Sequence, residues 1–265
     1  MSVRLAVVGG GKMGEALVGG LLGAKWAGAA EVAVVEVSEH RRVQLAERFP
    51  GVEVRGDVPE AVEGAVVAVK PADVMAACTS LAAAGVRRVL SIAAGVTLAR
   101  LEGWLGDDVA VVRAMPNTPA LVGTGASAIA PGAAAGEEEL AWAEEVLGAV
   151  GIVVRVGEPA LDAVTGLSGS GPAYVFLVAE ALIEAGVLVG LPRSTSSMLA
   201  TQTLLGAARL LAESEDGPEA LRAAVTSPGG TTAAGLRALE ERGVRAAFLD
   251  AVVAATERSR QLGQD

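Results

Sequence analysis

The sequence predicts an α/β protein whose first half is a doubly wound, mostly parallel sheet and whose second half is all helix. Three observations carry this. Short apolar runs, of the kind buried on both faces of a parallel sheet, alternate with helical periodicity as far as Gly157. A glycine-spaced turn joins the first of those runs to the first helix. Beyond Gly157 the strand signal stops and only helical stretches remain.

The opening stretch, Val3 to Leu22, reads as one strand, one turn and one helix, with Leu5 to Val8 as the strand. Gly9, Gly11 and Gly14 then form Gly-x-Gly-x-x-Gly. Gly9 permits the tight turn, Gly11 lets backbone approach a pyrophosphate, and Gly14 lets the helix sit close on its strand. The helix start aims unpaired N–H groups and a positive dipole end at that pyrophosphate. In a chain with 34 glycines the spacing alone means little, and the strand before it and helix after it supply the weight. Glu36 closes the next apolar run, Val32 to Val35, roughly 20 residues on, where a Rossmann fold places the carboxylate that binds the ribose hydroxyls. That carboxylate favours NADH. Ser38, Arg41 and Arg42 come directly after it, however, and could hold the 2′-phosphate of NADPH by charge-assisted hydrogen bonds. The arginines read equally well as solvated helix residues, so both cofactors stay open, with a slight lean to NADH.

The rest of the chain continues the alternation. Arg41 to Phe49 is helical, Val52 to Val54 a short strand, and Ala65 to Val69 a buried strand ending in Lys70 and Pro71. Arg88 to Ala93 gives a fifth strand, closing on Ala93, Ala94 and Gly95, and Val109 to Ala114 a sixth. Open parallel sheets bind ligands outside their carboxyl edges, which puts Lys70, Ala94 and Asn117 on the cofactor side. Residues 113–119, RAMPNTP, make a rigid turn. Thr124 to Ala130 and Ile152 to Val156 read as strands extending the sheet at its edge, with a helix over Glu137 to Val150 between them. The later helical stretches are Pro172 to Val189, Arg193 to Glu213, Pro218 to Val225, and Thr231 onward, the last broken near Gly243. Helix 172–189 is apolar nearly all round, with Glu180 and Glu184 on one side, and Ala246, Ala247, Ala251, Ala254 and Ala255 give a small-residue face. Such helices need a partner surface, so a homodimer is expected over a large monomeric core.

Composition bounds the function classes. At 265 residues the chain exceeds one comfortable core and predicts two domains, 1–157 for nucleotide binding and 158–265 helical, with 52% hydrophobic residues to fill both. A net charge of −10 without a basic cluster argues against nucleic acid and against an anionic membrane surface. Arg4 and the early glycines leave no secretory h-region, and Glu180 and Glu184 resist a bilayer, so the expected location is cytoplasmic. The single Cys78 excludes an intramolecular disulfide and a thiolate metal site, and no metal is expected.

Acid–base groups are scarce. His40 lies towards the adenosine end, Tyr174 has no lysine four residues on, and Lys12, Lys25 and Lys70 are the only lysines, so the helical half holds none. A reaction that needs no strong acid fits: an imine nitrogen is basic enough to arrive protonated from water, and the iminium accepts hydride once it is positioned. Thr226 to Thr232, TSPGGTT, opens a helix. Its amides can form a nest for a carboxylate, with Thr231 and Thr232 adding hydroxyls, although a plain capped helix explains the same residues.

Taken together, GGGKMG at 9–14, AVKP at 68–71, SIAAGV at 91–96, RAMPNTP at 113–119, GLSGSGPAYVF at 166–176 and TSPGGTT at 226–232 resemble the pyrroline-5-carboxylate reductase family. The resemblance runs end to end, and the last three segments are more specific than the glycine fingerprint. It implies NAD(P)H-dependent reduction of 1-pyrroline-5-carboxylate to proline, by a Rossmann domain and a helical domain that interlocks with its twin, in some members as a ring of dimers. It further implies that Thr232 hydrogen-bonds the ring nitrogen while Ser227, Gly230 and Thr231 hold the substrate carboxylate. Gly11, Lys12 and Met13, Lys70 with Pro71, and Ala93 with Ala94 match cofactor contacts. Members that prefer NADPH tend to carry a neutral residue where Glu36 stands. Two other classes remain as alternatives. A related imine or β-hydroxyacid dehydrogenase is disfavoured in its hydroxyacid form by the missing lysine, and a non-catalytic nucleotide-binding module has no evident need of TSPGGTT.

Overall fold

The computed structural model describes residues 3–264. The chain clusters into two compact units: the first runs to Ser170 and resumes at Ala254, and the second is Gly171–Val253.

The first unit is built on β1 (Leu5–Val8), α1 (Lys12–Gly23), β2 (Val32–Val35), α2 (Glu39–Arg48), β3 (Glu53–Arg55), β4 (Ala65–Val67), α3 (Val74–Ala83), β5 (Arg88–Ser91), α4 (Leu98–Leu105), β6 (Ala110–Met115), β7 (Gly125–Pro131), α5 (Glu137–Gly148), β8 (Gly151–Arg155) and α6 (Leu161–Val164). The strands lie in one sheet, ordered β3-β2-β1-β4-β5-β6-β7-β8. All neighbours run parallel except β6 and β7. The connection through Thr118–Val122 is too short for a crossover, so β7 returns beside β6 in the opposite sense. Both faces are covered. Leu5, Val7, Val34 and Val66 pack on one side with Leu17 and Leu21 of α1, while Ala6, Val8 and Val67 pack on the other with Cys78 and Leu81 of α3. Strands that look uniformly apolar in sequence thus serve two cores by strict alternation.

Several boundaries differ from expectation. The strand expected to run to Val69 ends at Val67, level with the end of β1 at Val8, whose carbonyl accepts from the Ala68 N–H. The strand expected to reach Ala93 ends at Ser91. α2 begins at Glu39, ahead of Arg41, since Ser38 is its N-cap and accepts from the Arg41 N–H. Residues Thr165–Gly169 form a π-helical turn that no sequence signal marked. At the edge, Arg155 of β8 is held by Glu137 and Glu144 of α5, which puts charge on the last strand of the sheet.

The second unit carries α7 (Gly171–Leu188), α8 (Arg193–Glu213), α9 (Pro218–Ala224) and α10 (Thr231–Glu241), and α11 (Val244–Gln264) begins in it. Gly243, at φ +69°, separates α10 from α11. α7 and α8 meet where Ser196 Oγ donates to the Ile183 carbonyl at 2.7 Å, beside Gly186, whose missing Cβ leaves the serine its room.

Candidate functional site

Strand order reverses between β1 and β4, and a cleft of about 440 Å³ opens at their carboxyl ends. Gly9, Gly11, Glu36 and Lys70 all line it, so four of the expected cofactor residues come together around one cleft. Gly9 sits at φ +109°, and a Cβ there would lie 2.6 Å from the Ala68 carbonyl oxygen. A Cβ on Gly14 would be driven into the Gly9 carbonyl, which accounts for the third glycine as helix-on-strand packing. Gly11 differs: a Cβ there would meet no atom within 4 Å. It N-caps α1 without a side-chain cap, which leaves the first amides of Lys12, Met13 and Gly14 facing the cleft end of the helix. Open space over Gly11, an uncapped helix start and a nearby carboxylate fit a dinucleotide.

Glu36 is held with care. Its Oε2 accepts from the Gly10 N–H at 3.0 Å and its Oε1 from the Ser38 N–H at 2.8 Å. Two backbone amides thus orient the carboxylate and leave its other lone pairs for a diol. Both arginines make hydrogen bonds within the unit. Arg41 Nε donates to the Gly10 carbonyl at 2.8 Å, and its other nitrogens pair with Glu15 and Gln44. Arg42 donates to the carbonyls of Glu36 at 3.0 Å and Val37 at 2.9 Å. Ser38 is occupied as the α2 cap.

Further along the carboxyl edge, Pro71 opens the short 3₁₀ turn after Lys70, and Ala93 is buried while Ala94 is exposed. Asn117 is bound on both ends of its amide: Oδ1 accepts from the Ala126 N–H at 2.9 Å and Nδ2 donates to the Ser168 carbonyl at 3.0 Å. It therefore fixes the π-helical turn against β7. Arg113, buried on β6, pairs with Glu158 at 2.8 Å, and the same carboxylate oxygen accepts from the Leu98 N–H at 2.7 Å. Sequence reading gave Arg113 no role, since its partner is 45 residues away. His40 shares a hydrogen bond with Gln44 on α2.

In the second unit, Thr226–Thr232 forms a turn ahead of α10. Gly229 takes φ +70°, and the Gly230 N–H donates to the Ser227 carbonyl at 3.0 Å. Gly230 is the N-cap of α10, with no side-chain cap and no acidic residue in the first turn. Thr231 is exposed and Thr232 half-buried. An uncapped helix start with two hydroxyls beside it can receive a carboxylate.

The chain matches the family described as pyrroline-5-carboxylate reductase dimerisation over residues 158–262, and the one described as NADP oxidoreductase, coenzyme F420-dependent, over residues 4–95. A pyrroline-5-carboxylate reductase of Synechocystis is 46% identical over 268 residues, with both chains fully covered. Among solved structures, a pyrroline-5-carboxylate reductase from Coxiella burnetii is 36% identical at a TM-score of 0.92, covering 99% of each chain. The Plasmodium falciparum enzyme with NADP bound is 29% identical at a TM-score of 0.84, covering 98% of each chain.

Proposed function

The chain belongs to the pyrroline-5-carboxylate reductase family, and from that premise we propose how its residues divide the work of an NAD(P)H-dependent oxidoreductase acting on a carbon–nitrogen double bond. The reaction is reduction of 1-pyrroline-5-carboxylate to L-proline, the last step of proline biosynthesis. The observation that carries the reading is likeness along the whole chain, with a helix start in the second unit that has no cap of its own.

When bound, the cofactor supplies a hydride. Gly9, Gly11 and the amides of Lys12, Met13 and Gly14 hold its pyrophosphate, and Glu36 takes the adenosine ribose. Ser38 shapes that end through the Glu36 carboxylate. Lys70, Pro71, Ala93 and Ala94 line the carboxyl edge towards the nicotinamide. Ser227, Gly230 and Thr231 hold the substrate carboxylate on backbone amides and hydroxyls, so no cationic side chain is required. The iminium nitrogen arrives protonated from water, and its N–H donates to the Thr232 hydroxyl, which fixes the ring for attack.

The family domain over 158–262 is one of dimerisation, and the surface of α7 supports the same use. Every residue of α7 keeps part of its surface, and Phe176, Leu177 and Leu188 are 63%, 66% and 87% exposed. A single copy would leave this apolar face in water. By length and composition alone the helical run Glu158–Leu188 would also suit a bilayer, but Glu180 and Glu184 count against that. We therefore take a homodimer, working in the cytoplasm.

A steady-state assay with 1-pyrroline-5-carboxylate and each reduced cofactor tests the reading. Consumption of NADH or NADPH is expected, with turnover at least about tenfold lower in Thr232→Ala. Undiminished turnover in that variant removes Thr232 from the mechanism.

A further inference from the structure

We infer that the last turns of α11 position the nicotinamide end of the cofactor, with Ser259, bound to Asp162, as the residue that seats them against the turn over Ala93, Ala94 and Gly95. The inference rests on the reading that puts this turn at the nicotinamide end.

From Ala254 onward α11 belongs to the first unit. Thr256, Ser259 and Gly263, spaced three and four residues apart, share one side of the helix, and the first two are 8% and 7% exposed. A helix end that buries hydroxyls and glycine gains little from apolar contact, so its seat depends on hydrogen bonding and close approach. Ser259 supplies the bond: its Oγ donates to Oδ1 of Asp162 on α6 at 2.6 Å. The close approach comes one turn later. A Cβ on Gly95, which takes φ +75°, would stand 3.6 Å from the Leu262 carbonyl oxygen, and one on Gly263 would stand 3.8 Å from the Gly95 carbonyl oxygen. The end of α11 thus lies backbone on backbone against the turn. Glu158 fixes the far side of the same turn by accepting from the Leu98 N–H at 2.7 Å. Glu158 and Asp162 therefore hold this segment from two directions, the first directly and the second through α11. β5 lies beyond β4 from β1 and β2, so the turn stands on the other side of the β1–β4 cleft from Glu36. Ala93 is buried in it and Ala94 is exposed. Neither side chain is long enough to adapt, so the surface they offer moves only as the backbone moves. A hydride transfer that depends on placement within about 1 Å is sensitive to such a shift.

Calorimetric titration with NADH and with ADP-ribose, which lacks the nicotinamide ring, and with the same pair carrying a 2′-phosphate, tests this beside steady-state kinetics. In Ser259→Ala the intact cofactor is expected to bind at least about fivefold more weakly and kcat to fall by at least about fivefold, while the ring-less fragment keeps its affinity to within about twofold. Asp162→Asn, which still offers an oxygen to the Ser259 hydroxyl, is expected to fall between the unaltered protein and Ser259→Ala. A chain ending at Gln261 keeps the hydrogen bond but loses the contact with Gly95, and it is expected to show the same split between cofactor and fragment. Unchanged cofactor binding and kcat in Ser259→Ala overturns the inference and leaves the cofactor cleft standing. So does an equal weakening of cofactor and fragment, which is what a general loosening of the unit produces. If the unaltered protein binds none of the four ligands, the cofactor cleft falls and the inference with it. Should Ser259→Ala fail to fold, the chain ending at Gln261 decides the matter by the same comparison.

Discussion

At the scale of single residues, several polar side chains of the first unit hold backbone. Glu36, Arg41, Arg42 and Asn117 each make hydrogen bonds to main-chain atoms, and the Gly10 peptide is gripped from both sides, N–H by Glu36 and carbonyl by Arg41. The glycine turn is thereby ordered by side chains as well as by its own φ angles. Cys78 is the opposite case. Packed on α3 against the sheet, its thiol has no polar role, and burial pushes its pKa up to about 11. At pH 8 about one thiol in a thousand is ionised, and that one is occluded. A colorimetric thiol titration is therefore expected to find no reactive cysteine in the native protein and one per chain in denaturant; rapid native labelling would contradict the packing of α3.

At the scale of elements, two side chains tie the carboxyl edge of the sheet to neighbouring segments. Asn117 joins the turn after β6 to the π-helical turn, and Arg113 of β6 meets Glu158, which in turn caps the first amide of α4. The Arg113 and Glu158 side chains are 10% and 30% exposed, between a buried and a surface pair. Removing the arginine leaves a shielded carboxylate with one backbone donor, a loss of about 2 kcal/mol. Arg113→Ala is expected to lower the thermal midpoint by about 4–8 °C, given roughly 2–4 °C per kcal/mol at this size. The doubly altered Arg113→Ala, Glu158→Ala chain is expected to lose less than the sum of the single losses, and additivity in the melting curves would show that the pair does not act as one.

At the scale of the whole molecule, the two units differ in how far each completes its own core. The first buries Leu5, Leu17, Leu90 and Ile129 fully, while in α8 only Ser196 and Ala200 are buried and α7 has no fully covered residue among those described. An assembly of copies is thus part of the fold of the helical half. Sedimentation is expected to give a mass of at least two chains at micromolar concentration, and Leu177→Asp to shift it towards one chain with loss of helical stability. A monodisperse monomer with intact helices would remove the reason given for the exposed face of α7.

Much of this was open to inspection in the linear chain. The β1–turn–α1 unit, the parallel strands, Glu36 at the end of β2 and the change to helix after Gly157 all arise from short-range patterning, because strand burial and glycine spacing are local properties. The reversal of β7 was within reach too, since the connection before it is too short for a crossover. Tertiary structure alone decided which groups hold one another. That Arg41 turns back to Gly10 and not outward, that Glu36 is shared by two amides, and that Arg113 finds Glu158 depend on atoms 31, 26 and 45 residues apart. Partners so distant in sequence are selected by packing and by the need of each shielded polar group for hydrogen bonds, and no local periodicity encodes that.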